Sequence, residues 1–202
     1  LNGNHAGQLQ IVQLLFKAVA QRYQIVCRLR ILRQDPWETL VCFLISQRKS
    51  IPAIQTCVEA LCTRCGAKVG RGRGRYFAFP GPEDLLRAGE RGLRACGTGY
   101  RAPYLLDAAR RVADGRADLD ATAALPDDEL LEQLQAIHGV GVKVASCVML
   151  FGYHRLASAP VDVWIRRVID EDYGGRSPFP AYGEHAGIFQ QYLFYGRIAQ
   201  KG

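Results

Sequence analysis

The chain has 202 residues, with 26 lysines and arginines against 19 aspartates and glutamates, for a net charge of +7. A pI near 9.2 and a mean hydropathy of −0.06 describe a basic, globular composition. This length buries a sizeable core in one domain or two intimate subdomains. No apolar run reaches the ~18 residues of a membrane span, and the basic balance points to a polyanionic partner, of which nucleic acid is the commonest.

In chain order, residues 8–23 carry apolar positions at helical spacing, and 28–33 mix basic with apolar residues. Asp35-Pro36 reads as an N-cap followed by proline at the first helical position. The helix it opens, through about Gln47, is apolar nearly all round and so is expected at the centre of the fold. Another helix is expected over 52–65. Residues 66–82 read as irregular, and Gly70-Arg71-Gly72-Arg73-Gly74-Arg75 within them as a basic surface loop. Short helices follow near 83–89 and 91–95, and a longer one over 101–114. Leu125-Pro126-Asp127-Asp128-Glu129 opens the helix that runs to Gly139-Val140-Gly141. Helices at about 142–152, 162–172 and 183–199 complete the chain. No period-2 strand is found, so the fold class is all-α.

Seven cysteines stand at 27, 42, 57, 62, 65, 96 and 147. Their odd number and their place in apolar helical patterns favour reduced intracellular thiols over disulfides. Cys62-x-x-Cys65 has no second Cys or His pair at ligand spacing, so neither a metal nor another cofactor is expected. The chain begins at Leu1 without a signal pattern, and its N-terminus reads as a fragment boundary.

Ile137-His138-Gly139-Val140-Gly141-Val142-Lys143 reads as helix, Gly-x-Gly turn, helix. Glycines at 139 and 141 permit backbone conformations closed to other residues and let a phosphate approach. From Val142 onward the second helix presents free N–H groups and the positive end of its dipole. Lys143 lies in the first turn of a helix whose next eight residues are almost wholly apolar. It is therefore expected at the floor of a cleft, where partial desolvation favours the neutral, nucleophilic amine. Asp162, in Pro160-Val161-Asp162-Val163, reads as the N-cap of a later helix. A helix over 142–152 is about 15 Å long and residues 153–161 can extend ~30 Å, so Asp162 can return to Lys143. On spacing alone, each feature also has a plain structural reading: a simple turn, a snorkelling lysine and a routine cap.

Three stretches together carry a family resemblance: Arg30-Ile31-Leu32-Arg33-Gln34-Asp35-Pro36-Trp37-Glu38, the hairpin with Lys143 plus Pro160-Val161-Asp162, and Phe189-Gln190-Gln191-Tyr192-Leu193-Phe194-Tyr195. The chain resembles the helix-hairpin-helix DNA glycosylases, and within them the 8-oxoguanine DNA glycosylase/AP lyases, over roughly residues 28–200. The resemblance implies two helical subdomains flanking an active-site cleft. Residues 28–202 would form the glycosylase domain, 1–27 would stay unassigned, and the family's N-terminal antiparallel β-domain is missing from this sequence. It further implies a monomer that acts inside the cell on double-stranded DNA containing a damaged base, with no membrane partner.

By the same resemblance, Lys143 is the nucleophile that attacks C1′ of an extruded nucleotide, and Asp162 the carboxylate that supports it. Cys147 and Phe194 would pack on the two faces of the flipped base, and Gln190 would bond its Watson–Crick edge. Tyr100 would wedge into the vacated stack and Arg101 would contact the orphaned opposite base. Gly139, Gly141 and Val142 would grip a phosphate, with Arg48, Lys49, Arg71, Arg73 and Arg75 as further phosphate contacts. Three departures stand out. His138 replaces a common proline, and Trp164 a histidine found in some members. Arg48-Lys49-Ser50 replaces an asparagine run used at the opposite base, which argues against strict selection of cytosine there. The alternatives are a related glycosylase with another base specificity, and a helix-hairpin-helix module that only holds DNA.

Overall fold

The computed structural model describes residues 30–69 and 76–199. The helix expected over 8–23 and the arginines of the 70–75 loop lie outside the described residues. Helix α1 (Pro36–Ser46) starts as expected: Asp35 accepts a 2.8 Å bond from the Glu38 N–H, and Pro36 occupies the first turn. Leu40, Val41, Leu44 and Ile45 are fully buried, so α1 is surrounded and packs on α2 (Ile51–Cys65), α4 (Ala102–Ala113) and α6 (Val142–Phe151).

Between α2 and α3 (Pro82–Ala95), the structure corrects the all-irregular reading of 66–82. Lys68–Val69 (β1) and Tyr76–Phe77 (β2) pair antiparallel in register Lys68↔Phe77 and Val69↔Tyr76. Two-residue strands are too short to leave a period-2 signal in sequence. The two short helices expected over 83–95 form as expected: Gly89, at φ 62° and ψ 179°, separates them within the stretch labelled α3. After α4, α5 (Asp127–Gln135) places Asp127, Asp128 and Glu129 in its first turn, where carboxylates complement the positive helix end. Then follow α6, α7 (Val163–Asp172), a 3₁₀ segment at Phe179–His185, and α8 (Ala186–Ala199).

The fold is all-α, with two apolar bodies. The larger core gathers residues of α1 to α6; the smaller joins Ile165 and Ile169 of α7 to Phe179, Ala186, Phe189, Leu193 and Phe194. A third cluster, Cys147, Leu150 and Phe151 with Ile31, Phe43 and Leu156, lies on the other side of α6 from the large core. Helix α6 is thus buried almost all round, as its composition required. The six cysteines described are unpaired, and no group of three or more metal-ligating side chains is found among the described residues. No helix among them is long and apolar enough to cross a membrane.

Glu38 is a cost carried by this packing. Burial, with the charge of Asp35 adding to it, pushes its carboxyl from an ordinary 4.5 up to about 7. The folded state therefore holds a proton that the unfolded chain releases. The contribution is full below about pH 4.5 and is lost as pH rises through about 7, an effect of about 3 kcal/mol. Glu38→Gln should remove that slope. Urea unfolding of both proteins at intervals from pH 5 to 8 checks it, and parallel pH profiles would contradict it.

Candidate active site

The hairpin joins α5 to α6 through residues 136–141. Gly139 has φ +86°, and a Cβ added there would penetrate the Tyr104 ring, so glycine is required twice over. Gly141 corrects the expectation of two special conformations. It sits at φ −89°, ψ 176°, which any residue adopts, and a Cβ there would meet nothing within 4 Å. Its smallness leaves open space before the start of α6. The first helical bond is Ala145 N–H to Gly141 C=O at 3.0 Å, and no side chain caps the helix. The N–H groups of the first turn, beginning at the 59%-exposed Val142, are thus without helical acceptors.

Neighbouring elements hold the turn from two sides. From α4, Tyr104 packs its ring edge-on to His138 with centroids 4.7 Å apart, and Asp107 accepts a 2.8 Å bond from the His138 N–H. From the end of α1, the Gln47 side chain donates to the Gly139 carbonyl at 3.1 Å. Sequence reading missed Gln47, Tyr104 and Asp107, because these contacts span 31 to 92 residues and carry no local signal.

Lys143 is the second residue of α6 and is half-buried. Its Nζ lies 5.3 Å from the centre of the Phe43 ring, and its charge acts on the thiol of Cys147 one turn on. Phe43 stacks in turn on Phe151, centroids 5.6 Å apart. Nothing in the sequence separated Phe43 from the other core residues of α1. Burial pushes the Cys147 thiol up to about 12; the Lys143 charge opposes this and the Asp162 charge adds to it. The amine and the carboxylate therefore both act on one buried sulfur.

After leaving the C-terminus of α6, the chain returns along its flank. Ser158 donates its hydroxyl to the Ser146 carbonyl at 3.0 Å, fastening the connection to the flank of α6. Gly187 donates to Leu156 C=O at 2.8 Å, and a side chain at 187 would collide with the Ser158 carbonyl. Asp162 then caps α7, its Oδ1 accepting from Trp164 N at 3.0 Å and Ile165 N at 2.9 Å. One carboxylate oxygen is fixed by these two bonds, which sets the orientation of the group.

The base-pocket candidates are less closely assembled. Gln190 is only 3% exposed, and its Oε1 accepts from the Gln191 side chain at 2.6 Å. Phe194 packs with the α7–α8 core, whereas Cys147 packs with Phe43 and Leu156. Tyr100, 47% exposed, stands in the 3₁₀ turn Gly99–Arg101. Arg101 differs from the outward contact expected of it. It is 5% exposed and turned inward, donating to the Gln47 carbonyl from Nε at 2.9 Å and from Nη2, and to the Thr98 carbonyl from Nη1 at 3.2 Å. The carbonyl left free at the end of α1 draws the guanidinium there. Arg48 is exposed and takes φ +51°.

Residues 41–184 match the family model described as HhH-GPD superfamily base excision DNA repair protein. The chain belongs to the HhH-GPD superfamily. Among HhH-GPD relatives, it is 36% identical to the N-glycosylase/DNA lyase of Saccharomyces cerevisiae over 157 residues, which are 72% of this chain and 42% of the yeast protein. It is 32% identical to the probable N-glycosylase/DNA lyase of Methanothermobacter thermautotrophicus, over 81% of this chain and 61% of that protein. The Clostridium acetobutylicum 8-oxoguanine glycosylase/lyase, solved with double-stranded DNA containing cytosine opposite 8-oxoguanine, superposes with a TM-score of 0.82. That structure is 31% identical, and the match covers 99% of this chain and 72% of that one. This HhH-GPD chain therefore spans about two fifths to three fifths of the length of these two named relatives.

Proposed function

We propose that this HhH-GPD chain carries the catalytic helical region of a bifunctional DNA glycosylase/AP lyase that removes 8-oxoguanine in base excision repair. The observation that carries the reading is a half-buried Lys143 in the first turn of an open, uncapped helix, its amine over the Phe43 ring, with the charges of Lys143 and Asp162 both acting on the Cys147 thiol. In the proposed reaction the neutral Lys143 amine attacks C1′ of an extruded nucleotide, and the C1′–N9 bond breaks with the base as leaving group. Loss of the amine proton and opening of the sugar give a C1′=N Schiff base. Removal of a C2′ proton then expels the 3′ phosphate, nicking the strand, and hydrolysis frees the lysine. Asp162, oriented by its two backbone bonds, stabilises the cationic sugar and takes up protons. No step calls for a metal.

In this reading the amides following Gly139 and Gly141, from Val142 on, hold a phosphate, and Tyr100 enters the stack from the opposite side. Cys147, Gln190 and Phe194 receive the base. That requires Gln190 to exchange its bond to Gln191 for one to the base, and Phe194 to turn from the α7–α8 core. The protein works as a monomer, inside the cell, on duplex DNA.

A duplex with 8-oxoguanine opposite cytosine, beside one with an abasic site, tests the proposal. Release of free 8-oxoguanine together with a β-elimination nick is expected. Nicking of the abasic duplex alone would keep the lyase and remove the base assignment. Two intact duplexes, bound but uncut, would make the chain a DNA-holding module.

A further inference from the structure

We infer that Asp107 is a positioning residue for DNA binding: its carboxylate holds the hairpin in the shape that grips a phosphate, and it is needed because His138 stands in that turn. The inference rests on the proposed reading of the hairpin as a phosphate grip. Helix α5 ends at Gln135. In the turn that follows, Ile137 N–H donates to Leu134 C=O at 3.2 Å and Val140 N–H to Ile137 C=O at 3.0 Å. Between them, the His138 N–H reaches no backbone carbonyl among the described residues. It donates instead to Asp107 Oδ2, 31 residues back, at 2.8 Å. A proline at 138 would have no N–H to place. Histidine creates the donor, and Asp107 receives it.

The carboxylate is itself held in place. Tyr104, Asp107 and Arg111 recur at helical spacing and so lie on one face of α4. Tyr104 packs edge-on against the His138 ring and fills the space a Cβ at 139 would need. Arg111 donates from Nε to the same Asp107 Oδ2 at 2.9 Å. Burial works against the charged carboxylate, but the His138 N–H and the Arg111 guanidinium together outweigh it and hold the Asp107 carboxyl below the ordinary 3.8. The acceptor is therefore charged throughout the neutral range. Before the start of the same helix, Tyr100 meets Tyr104 edge-on with centroids 6.0 Å apart, so one face of α4 links the exposed Tyr100 to the hairpin.

The sign of the charge makes this role decidable. A carboxylate bonded to a phosphate-binding turn repels the DNA backbone, and removing it also frees the Arg111 cation. On charge alone, Asp107→Ala would tighten binding. A positioning role has the opposite sign, because the amides from Val142 on are aligned by the turn that Asp107 holds. It also identifies the harmless substitution: asparagine keeps an acceptor oxygen for the His138 N–H and lacks only the charge.

Binding to a duplex carrying a tetrahydrofuran abasic analogue, followed by fluorescence anisotropy, tests this without any bond cleavage. Asp107→Ala should raise Kd about five- to ten-fold, the loss of one hydrogen bond to a charged acceptor. Asp107→Asn should stay within about two-fold of wild type. In a His138→Pro protein the donor is gone, so adding Asp107→Ala should change Kd by less than about two-fold. This last pair carries the test even if Asp107→Ala alone proves unstable. The inference is overturned if Asp107→Ala binds as tightly as wild type or more tightly, or if Asp107→Asn is as weak as Asp107→Ala. It is equally overturned if Asp107→Ala weakens the His138→Pro protein as much as it weakens wild type. Gly141→Ala reports separately on the grip reading. Were it to bind as wild type, that reading would fail; were it weakened while Asp107→Ala is not, this inference alone would fail.

Discussion

Lys143→Gln is expected to lower single-turnover nicking of an abasic duplex by roughly 10³-fold or more, because glutamine has no amine to form a Schiff base. Binding should survive much better. Lys143 is half-buried over Phe43 and forms no ion pair among the described residues, so its loss removes a ring contact and a charge acting on the Cys147 thiol. A Kd for the tetrahydrofuran duplex within about three-fold of wild type would match a missing nucleophile rather than a collapsed site. A comparable fall in binding and nicking would instead make Lys143 a DNA contact.

Gly139→Ala should have the largest effect on stability. The residue would be held at φ +86°, and its methyl group would overlap the Tyr104 ring, which already packs against His138. A left-handed alanine costs ~1–2 kcal/mol and overpacking a further ~1–3 kcal/mol. A loss of about 2–5 kcal/mol is a large share of the 5–15 kcal/mol typical of a domain. Urea unfolding measures this directly. Gly141→Ala provides the contrast, since its Cβ meets nothing in the fold. It should unfold nearly as wild type and weaken DNA binding, because the methyl group would fill the space before the α6 amides. Equal stability losses in the two variants would contradict this division of roles.

What could be read in the sequence was local. Asp35 and Asp162 were recognisable as N-caps because a cap bonds only two or three residues ahead, and both do so. Gly139 was legible for the same reason, although its second cause, the Tyr104 ring, was not. The feasibility of Asp162 returning to α6 followed from chain length, but its fastening through Ser158 and Gly187 did not. Long-range polar contacts were invisible. Arg101 faces inward because a carbonyl 54 residues away needs a donor, and no pattern around residue 101 announces it. Phe43 looked like any other apolar residue of a central helix until the fold placed Lys143 above it. Gln190 was expected at the Watson–Crick edge of the flipped base. Its burial against Gln191 depends on how α8 lies on α7, which helical periodicity does not encode.

The claim that an amine at the start of α6 attacks the sugar is tested most directly by trapping and mapping the adduct. The wild-type protein is mixed with an abasic duplex, borohydride is added to reduce any Schiff base, and the cross-linked protein is digested and sequenced by mass spectrometry. A stable protein–DNA adduct carried by the peptide containing Lys143, and absent from Lys143→Gln, is the expected result. An adduct on another lysine or on the chain's terminal amine, or no adduct while the duplex is demonstrably bound, would contradict the account.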